Sequence, residues 1–476
     1  MEKTVYESPL CSRYASDEMQ YLFSPDMRYH TWRRLWVALA KAEKELGLDI
    51  TQEQIDELIA GIEHIDYEAI AKKEKETRHD VMSHIYGYGL NCPNAKGIIH
   101  LGATSCYVTD NADALIYIDA LKLVIKKVLN VIANLAEFAE QYKDLPTLGY
   151  THFQPAQPTT VGKRACLWIQ DFMLDLEELT FVKNTTKLLG CKGTTGTQAS
   201  FLSLFNGDHE KVKKLDKLIA QEFGMSDTYP VSGQTYPRKA DSRILNVLSS
   251  VAQSAYRFAN DMRLLQHMRE IEEPFEKNQI GSSAMAYKRN PMRCERICSL
   301  SRYVITNAQN AANTAATQWL ERTLDDSANR RISLPEGFLA IDAVLNLMIN
   351  VTSGLVVYPK VIEKNLMEFL PFIATENLLM SAAKAGGDRQ EMHEIIRKHS
   401  MDAAARMKLE GKDCDLLHRL ANDTAFILDK EQIESALNPK DYVGRAPQQV
   451  TEYLNEYVYP ALKANDFEKV IAEVNV

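Results

Sequence analysis

The chain has 476 residues, enough for about three domains or for fewer built around one large core. Its composition, 45% hydrophobic, 25% charged and 8% aromatic, is that of an ordinary globular protein and excludes a disordered or collagen-like chain. A formal net charge of −9 and a pI near 5.8 exclude a general nucleic-acid binder, which presents a basic face, while local basic clusters can still hold a small anion.

The opening residues, MEKTVYESPLCSRY, lack the apolar run of a secretory signal, so the cytosol is the expected compartment. Up to about Ala103 the pattern is of shorter helices, with turn signals at Ser24-Pro25 and in NCPNAKG. From Asp110 to about Tyr142, Leu121, Val124, Ile125, Val128, Ile132, Leu135 and Ala139 recur at three-to-four spacing. That period predicts a long amphipathic helix, closed by Pro146. A second runs from Pro158 to about Leu189. A third runs from Pro237 to about Glu270, with Ile244, Leu248, Val251, Ala255, Phe258, Met262 and Leu265 on one stripe. A fourth starts at Pro291 and ends near Leu320. The fifth is expected to begin at SLPE, where Ser333 and Glu336 form a capping-box pattern, and to continue toward Gly354. After Pro359 the helices shorten, with breaks at KAGGDR and LNPKDYVGRAP; no internal repeat is present.

Helices of this length would each span roughly 40–50 Å, far more than the globular average. The most apolar stretch, GFLAIDAVLNLMINVTSGLVV, is interrupted by Asp342, Asn346 and Asn350, so no membrane span is expected. Long helices without membrane character imply an extended bundle, and apolar stripes this long want partner helices from other subunits. The expectation is an all-α homo-oligomer in three parts: an N-terminal helical domain (1–104), a central long-helix bundle (105–358) and a C-terminal helical domain (359–476). The eight cysteines form no CxxC pair and read as free, mostly buried thiols. In HEIIRKH the two histidines lie six apart and diverge by about 240° on a helix, which rules out a zinc pair.

The polar oddities sit between the long helices: HLGATSCYVTDN (100–111), LGYTHFQPAQPTT (148–160), LGCKGTTGTQAS (189–200), GSSAMAYKRNP (281–291) and ERTLDDSANRR (321–331). SRYAS (12–16) and TRHDV (77–81) belong with them. Taken singly, each has a bland explanation. Gly and Thr clusters are turn chemistry, GTTGT is neither a Walker loop nor GxGxxG, a lone His152 is usually structural, and Asp325-Asp326 would cap a helix or be solvated. Arg322, Arg330 and Arg331 would ordinarily be surface ion-pair partners. Together they predict an anion site, because these arginines with Arg13 and Lys288 could clamp phosphate and carboxylate groups. His79 and His152 are the candidate proton carriers near neutral pH, and Ser282 or Ser283 could act on a Gly-hinged loop. No GxSxG elbow and no Ser-His-Asp order favour an acyl-serine hydrolase.

GSSAMAYKRNP resembles the signature GSSxMPxKxNP of the aspartase/fumarase superfamily, whose members release fumarate from succinyl-type substrates. Gly, both serines, Met, Lys, Asn and Pro fall in register; Ala286 stands where the family usually has Pro. TRHDV, LGATS, THFQPAQPTT, KGTTGTQASF and ERTLDDSANRR extend the likeness over nearly the whole chain, toward the branch acting on succinylated purine nucleotides. The resemblance implies three all-helical domains, a homotetramer on a central helix bundle, and active sites shared by three subunits. It also implies β-elimination of fumarate from two succinylated purine ribotides, giving AMP from one and the carboxamide ribotide from the other. No metal or organic cofactor is needed for that chemistry, and neither nucleic acid nor membrane is an expected partner.

On matching positions, the resemblance makes Ser282 the base that takes a proton beside a carboxylate and His152 the acid for the leaving nitrogen. Lys288 and the loop amides would stabilise the Ser282 alkoxide, and His79 would assist at the succinyl part or phosphate. Arg13, Tyr14, Arg322, Ser327 and Arg331 would hold the nucleotide. Thr104, Ser105, Thr151, Gln234, Lys288, Asn290 and Arg296 would orient the succinyl and ring groups. Arg78, Asp80 and Ser283 complete the predicted substrate shell, with Asp80 keeping its neighbours' geometry. Two rivals remain. One is another fumarate-releasing lyase of the superfamily, against which TLDDSANRR and YKRNP speak; the other is a catalytically silent helical scaffold, against which His152, Ser282 and Lys288 argue.

Overall fold

The computed structural model describes residues 4–276, 279, 284–465 and 467–470. Before the first long helix come Asp17–Leu22 (α1), Pro25–Glu45 (α2), Gln52–Ala60 (α3), Tyr67–Thr77 (α4) and Asp80–Asn91 (α5). Ser24 caps α2 by accepting the Met27 N–H at 3.2 Å, with Pro25 at the first helical position where no N–H is missed. Five long helices follow, with shorter pieces between: Ser105–Gln141 (α6), Val161–Thr185 (α7), Ala199–Leu204 (α8), His209–Glu222 (α9), Lys239–His267 (α10), Met292–Ala316 (α11) and Asp325–Thr352 (α12). The chain then shortens its stride in Pro359–Ile373 (α13), Thr375–Lys384 (α14), Arg389–Glu410 (α15), Leu416–Ala421 (α16), Lys430–Ser435 (α17), Ala446–Tyr453 (α18) and Tyr459–Ala464 (α19).

The apolar stripes read from the sequence are the ones that meet. Helix α6 packs along α7, α10 along α11 and α11 along α12, and their stripes form one continuous cluster that includes Val128, Leu248, Phe258 and Phe338. Val450, Leu454 and Val458 from the far end of the chain return to this cluster. A second cluster gathers α2, α3 and α5 with the first turns of α6 and with Leu188, Phe201 and Leu215. A third holds α14 to α17 together. Among the described residues the fold is all-α apart from three two-residue strand pairs that helical periodicity did not anticipate. Pro146–Thr147 (β1) pairs with Thr159–Thr160 (β4), and Tyr150–Thr151 (β2) pairs with Gln154–Pro155 (β3). Ile271–Glu272 (β5) pairs with Val356–Val357 (β6).

The fifth long helix departs from expectation at its start. SLPE is interior, and α12 begins two turns earlier, at Asp325. Ser333 does not cap: its hydroxyl donates to Asn329 at 3.1 Å, and its carbonyl accepts from the Asn307 amide at 2.7 Å. Pro335 lacks the N–H that would reach the Arg331 carbonyl, a cost to the helix. Buried ion pairs from Asp326 and Arg330 to α10 and to the residue preceding it hold the two extra turns. Local cap signals lose to tertiary contacts here. By length and composition alone α12 could cross a membrane, yet 78% of its most apolar window is buried inside the protein. Asp342 within it is fully buried and paired with Lys127 of α6, while its second oxygen accepts the Ser16 N–H at 2.7 Å. Of the eight cysteines all are free and only Cys11 is exposed.

One buried group sets a pH dependence. Glu43 on α2 is fully buried, and neither carboxylate oxygen has a hydrogen-bond partner. Burial pushes its pKa up to about 8. Between the ordinary carboxylate value and 8 the folded chain keeps a proton that the unfolded chain has released, so stability falls as pH rises through this window. The expected slope is about 1.4 kcal/mol per pH unit. Glu43→Gln should therefore raise the thermal midpoint at pH 8, with the gain closing near pH 5; calorimetric scans across that range check it, and a gain independent of pH contradicts it.

Candidate functional site

Three helix starts face one cavity of about 1020 Å³: those of α5, α6 and α12. Each brings the positive end of a helix dipole, which suits an anionic ligand. A buried ion network holds two of these starts, those of α6 and α12, together with the start of α10. Arg238, immediately before α10, bonds Asp110 of α6 through both terminal nitrogens, at 2.9 and 3.3 Å, and Asp326 of α12 through Nε at 2.6 Å. Arg330 of α12 bonds Asp241 of α10 at 2.6 Å and Asp113 of α6 at 3.1 Å. The Tyr236 hydroxyl donates to Asp241 at 2.5 Å, and the Tyr236 N–H donates to Asp110 at 3.0 Å.

Burial works against the charge on Arg238, and Asp110 more than offsets it, so the guanidinium stays protonated. Burial likewise raises Asp113, which the nearby Arg330 only partly corrects. Two expectations are corrected by this network. Asp326, half of an acidic doublet that suggested a solvated cap, is fully buried; Arg330, grouped with the anion clamp, has its donors taken by carboxylates and a phenol.

Eight of the predicted residues line the cavity: Arg78, His79, Asp80, Ser105, Gln234, Arg322, Ser327 and Arg331. Arg78 ends α4 in the left-handed conformation (φ 53°), which turns the chain so that His79 can cap α5. His79 Nδ1 accepts the Met82 N–H at 3.3 Å, leaving Nε2 as the nitrogen able to exchange a proton. Asp80 accepts the Val81 N–H at 2.7 Å through one oxygen and Arg331 at 3.2 Å through the other. Thr104 is the N-cap residue of α6 and Ser105 its first residue. Arg322 donates to the Cys106 sulfur at 2.8 Å, and the Cys106 thiol donates to Gln234 Oε1 at 3.8 Å. Burial pushes that thiol up to about 12, so it stands as a neutral donor.

The sequence reading missed Arg28, Tyr29, Trp32, Cys106, Thr109, Asp110, Asp113 and Arg238, which share the same wall. A signal for two of them was present: Asp110 and Asp113 are carboxylates at the start of a long helix whose later stripe is apolar, and buried charges of that kind need partners.

The other predicted residues lie elsewhere. Thr151 and His152 sit at the tip of the β2–β3 hairpin, exposed, beyond the far end of α6. His152 and Phe153 both have positive φ, 53° and 56°, the geometry of a two-residue turn that usually takes Asn-Gly. A strained exposed turn of this kind, made by non-glycine residues, is the sort kept at functional sites. Gly149 lets the ribbon close, since a Cβ there would lie 2.3 Å from the Gln157 carbonyl oxygen. Helix α6 has 37 residues and so spans about 55 Å, which separates Ser105 from the hairpin within one chain.

Lys288 and Asn290 form a third locality, on the segment that precedes α11. That segment is tied to the end of α10 and to β5: the Gln266 amide donates to the Arg289 carbonyl at 3.0 Å, and Arg289 lies 3.5 Å from Glu272. Pro291 is the N-cap position of α11, as expected. Arg296, on the second turn of α11, stands over the Tyr14 ring at 5.5 Å, and Arg13 flanks the same ring at 5.9 Å. Ser282 and Ser283 lie outside the described residues.

A family model described as Lyase matches residues 13–306, and one described as Adenylosuccinate lyase C-terminus matches residues 371–453. The chain is 54% identical to the adenylosuccinate lyase of Schizosaccharomyces pombe over 474 residues, covering 99% of this chain and 98% of that protein. It is 53% identical to that of Saccharomyces cerevisiae, with 99% and 98% covered, and 49% identical to that of Schistosoma mansoni, with 96% of each covered. Among solved structures, a 3-carboxy-cis,cis-muconate lactonizing enzyme from Pseudomonas putida superposes with a TM-score of 0.80 at 21% identity, over 94% of this chain and 98% of that one. A fumarate lyase from Mesorhizobium sp. BNC1 superposes with a TM-score of 0.79 at 23% identity, over 95% and 99%. At those identities the structural likeness concerns the fold.

The ion network carries its own prediction. Arg238→Met removes the partner of two buried carboxylates, Asp110 and Asp326, and should cost about 3–5 kcal/mol of stability. Urea unfolding monitored by circular dichroism measures it; a loss under about 1 kcal/mol would mean the carboxylates are satisfied without the arginine.

Proposed function

The chain belongs to the adenylosuccinate lyase family, and from that premise we propose how it releases fumarate from adenylosuccinate, giving AMP, and from the succinyl-carboxamide ribotide of purine synthesis. Both reactions are β-eliminations across a C–N bond. A proton leaves the carbon beside a carboxylate, the carbanion is held as a doubly charged aci-carboxylate, and the nitrogen leaves as it is protonated. The demand is for cations and N–H donors already in place where that charge develops.

The observation that carries the proposal is the cavity wall, where eight residues predicted from the sequence, from Arg78 to Arg331, share one surface. Among its cations Arg238 and Arg330 are neutralised, while Arg28 and Arg78 have no carboxylate at ion-pair distance among the described residues. Arg322, bonded to the Cys106 sulfur, lies 3.9 Å from Asp326, and Arg331 donates to Asp80 at 3.2 Å with its side chain 60% exposed. These less fully neutralised arginines, with Ser327, are suited to the nucleotide phosphate. Thr104, Ser105 and Gln234 supply donors for the succinyl and ring groups, and Asp80 keeps Arg331 and the His79 turn in register. We assign Ser282 as base, His152 as general acid and His79 as the assisting histidine. Lys288, with its neighbours Ser283 and Asn290, would stabilise the alkoxide and grip a carboxylate. Thr151 and Arg296 would orient the succinyl group, and Arg13 and Tyr14 would close over the nucleotide.

The three localities come together only between chains in this proposal, in a homotetramer whose sites each draw on three subunits. The 55 Å length of α6 supports that arrangement, since a straight helix cannot bend His152 back to the cavity. So does the outer face of α7, where Leu167, Leu174 and Phe181 recur every seventh residue and are 41%, 54% and 57% exposed. Such a stripe is a seam for partner helices.

Loss of adenylosuccinate absorbance on adding purified protein, with fumarate identified as product, tests the activity. His152→Ala and Ser282→Ala should each lower turnover by several orders of magnitude with the helical signal and thermal midpoint intact; turnover like the unsubstituted protein in either variant removes that residue from the chemistry. If sites are shared, mixing and reassembling His152→Ala with Arg331→Ala chains should restore about a quarter of the sites, the fraction that draws both intact residues from different chains. Mixtures as inactive as their components would place each site within one chain.

A further inference from the structure

We propose that Gly196 and Gly233 are positioning residues that set where Gln234 and Arg322 face the substrate, an inference that rests on the lyase assignment above. The motif KGTTGTQAS drew attention in the sequence, yet none of its residues lines the cavity. Its role is one layer removed. Gly196 has φ +81°, and a Cβ there would lie 1.8 Å from the Ser232 carbonyl oxygen and 2.8 Å from that of Gly233. A Cβ on Gly233 would in turn lie 2.4 Å from the Glu321 carbonyl oxygen and 3.0 Å from the Glu321 Cα. Three backbones are therefore stacked in direct contact, 196 on 232–233 on 321, with a glycine at each interface. The atoms met are all backbone, so a methyl group can enter only by pushing a layer away.

The two residues that leave this stack are the ones that reach the cavity. Gln234 follows Gly233, and its N–H donates to the Glu321 carbonyl at 3.0 Å. Arg322 follows Glu321. Their side chains meet again at Cys106 on the first turn of α6, Arg322 at 2.8 Å from the sulfur and Gln234 at 3.8 Å. The stack is closed at its other end. The Gln198 amide donates to the Cys191 carbonyl at 2.8 Å and to Asp216 at 3.2 Å, its N–H donates to the Lys192 carbonyl at 2.8 Å, and Asp216 is itself paired with buried Lys192. A displacement at either glycine is thus passed toward Gln234 and Arg322 rather than absorbed behind them.

Kinetics on the full-length assembled enzyme with adenylosuccinate separates this role from simple destabilisation. A misplaced pair of binding groups weakens ground state and transition state alike, so KM rises while kcat holds; loss of folded enzyme lowers kcat at constant KM. Gly233→Ala should raise KM about tenfold or more with kcat within about threefold of the unsubstituted enzyme. Combined with Gln234→Ala it should raise KM by less than it does alone, because part of its effect runs through that side chain. An unchanged KM, a fall confined to kcat, or full additivity in the double variant overturns the proposal. Should Gly233→Ala fail to fold, Gly196→Ala, one layer farther out, is judged by the same criteria. If the unsubstituted protein does not turn over adenylosuccinate, the reaction assignment fails, and calorimetric binding of AMP then reads the stack: weakened in the glycine variants supports it, unchanged sinks it.

Discussion

The ion network at the starts of α6, α10 and α12 is the constraint from which the cavity follows. Four carboxylates and two guanidiniums come from three helices and the turn before α10. Charges this far from water are tolerable only when each is matched in distance and direction, so the network admits one relative placement of the three helix ends. With those ends fixed, the starts of α6 and α12 face the same space. Arg238 and Arg330 contribute nothing directly to binding an anion, since carboxylates occupy them. Their work is to keep the neighbouring, less neutralised arginines aimed at the cavity.

The length of the helices imposes the second constraint. A bundle of straight helices 25 to 37 residues long keeps its two ends apart, and the hairpin bearing His152 sits at the end opposite the α6 start. A single chain therefore holds the residues singled out by the sequence in three separated localities. The strained His152–Phe153 turn and the exposed apolar stripe on α7 are costs for an isolated chain, and both are explained if neighbouring chains cover and use them.

Between these two constraints lies a set of backbone contacts with no chemistry of their own. The glycine stack from Gly196 through Gly233 to Glu321 joins a surface loop to the cavity wall through backbone alone. Motif residues of this kind are hard to interpret from sequence, because what matters is the side chain they lack.

Much of the molecule was legible in the sequence because it depends on local rules. The 3.6-residue period of Leu121 to Ala139 and of Ile244 to Leu265 is enough to place α6 and α10, and Pro291 marks the start of α11, because amphipathic spacing and proline geometry act within a few residues. The superfamily signature likewise sits in one short run. Other features belong to contacts between distant segments. Asp326 and Arg330 read as surface charges until their partners on and just before α10 are known, and SLPE reads as a cap until those pairs extend α12 past it. The sequence by itself determined the helices, their apolar faces and the residue types suited to an anionic substrate. Only the tertiary structure decided which of those residues share a wall and which are held about 55 Å away, because that depends on helix ends locked together by buried charge rather than on any neighbour along the chain.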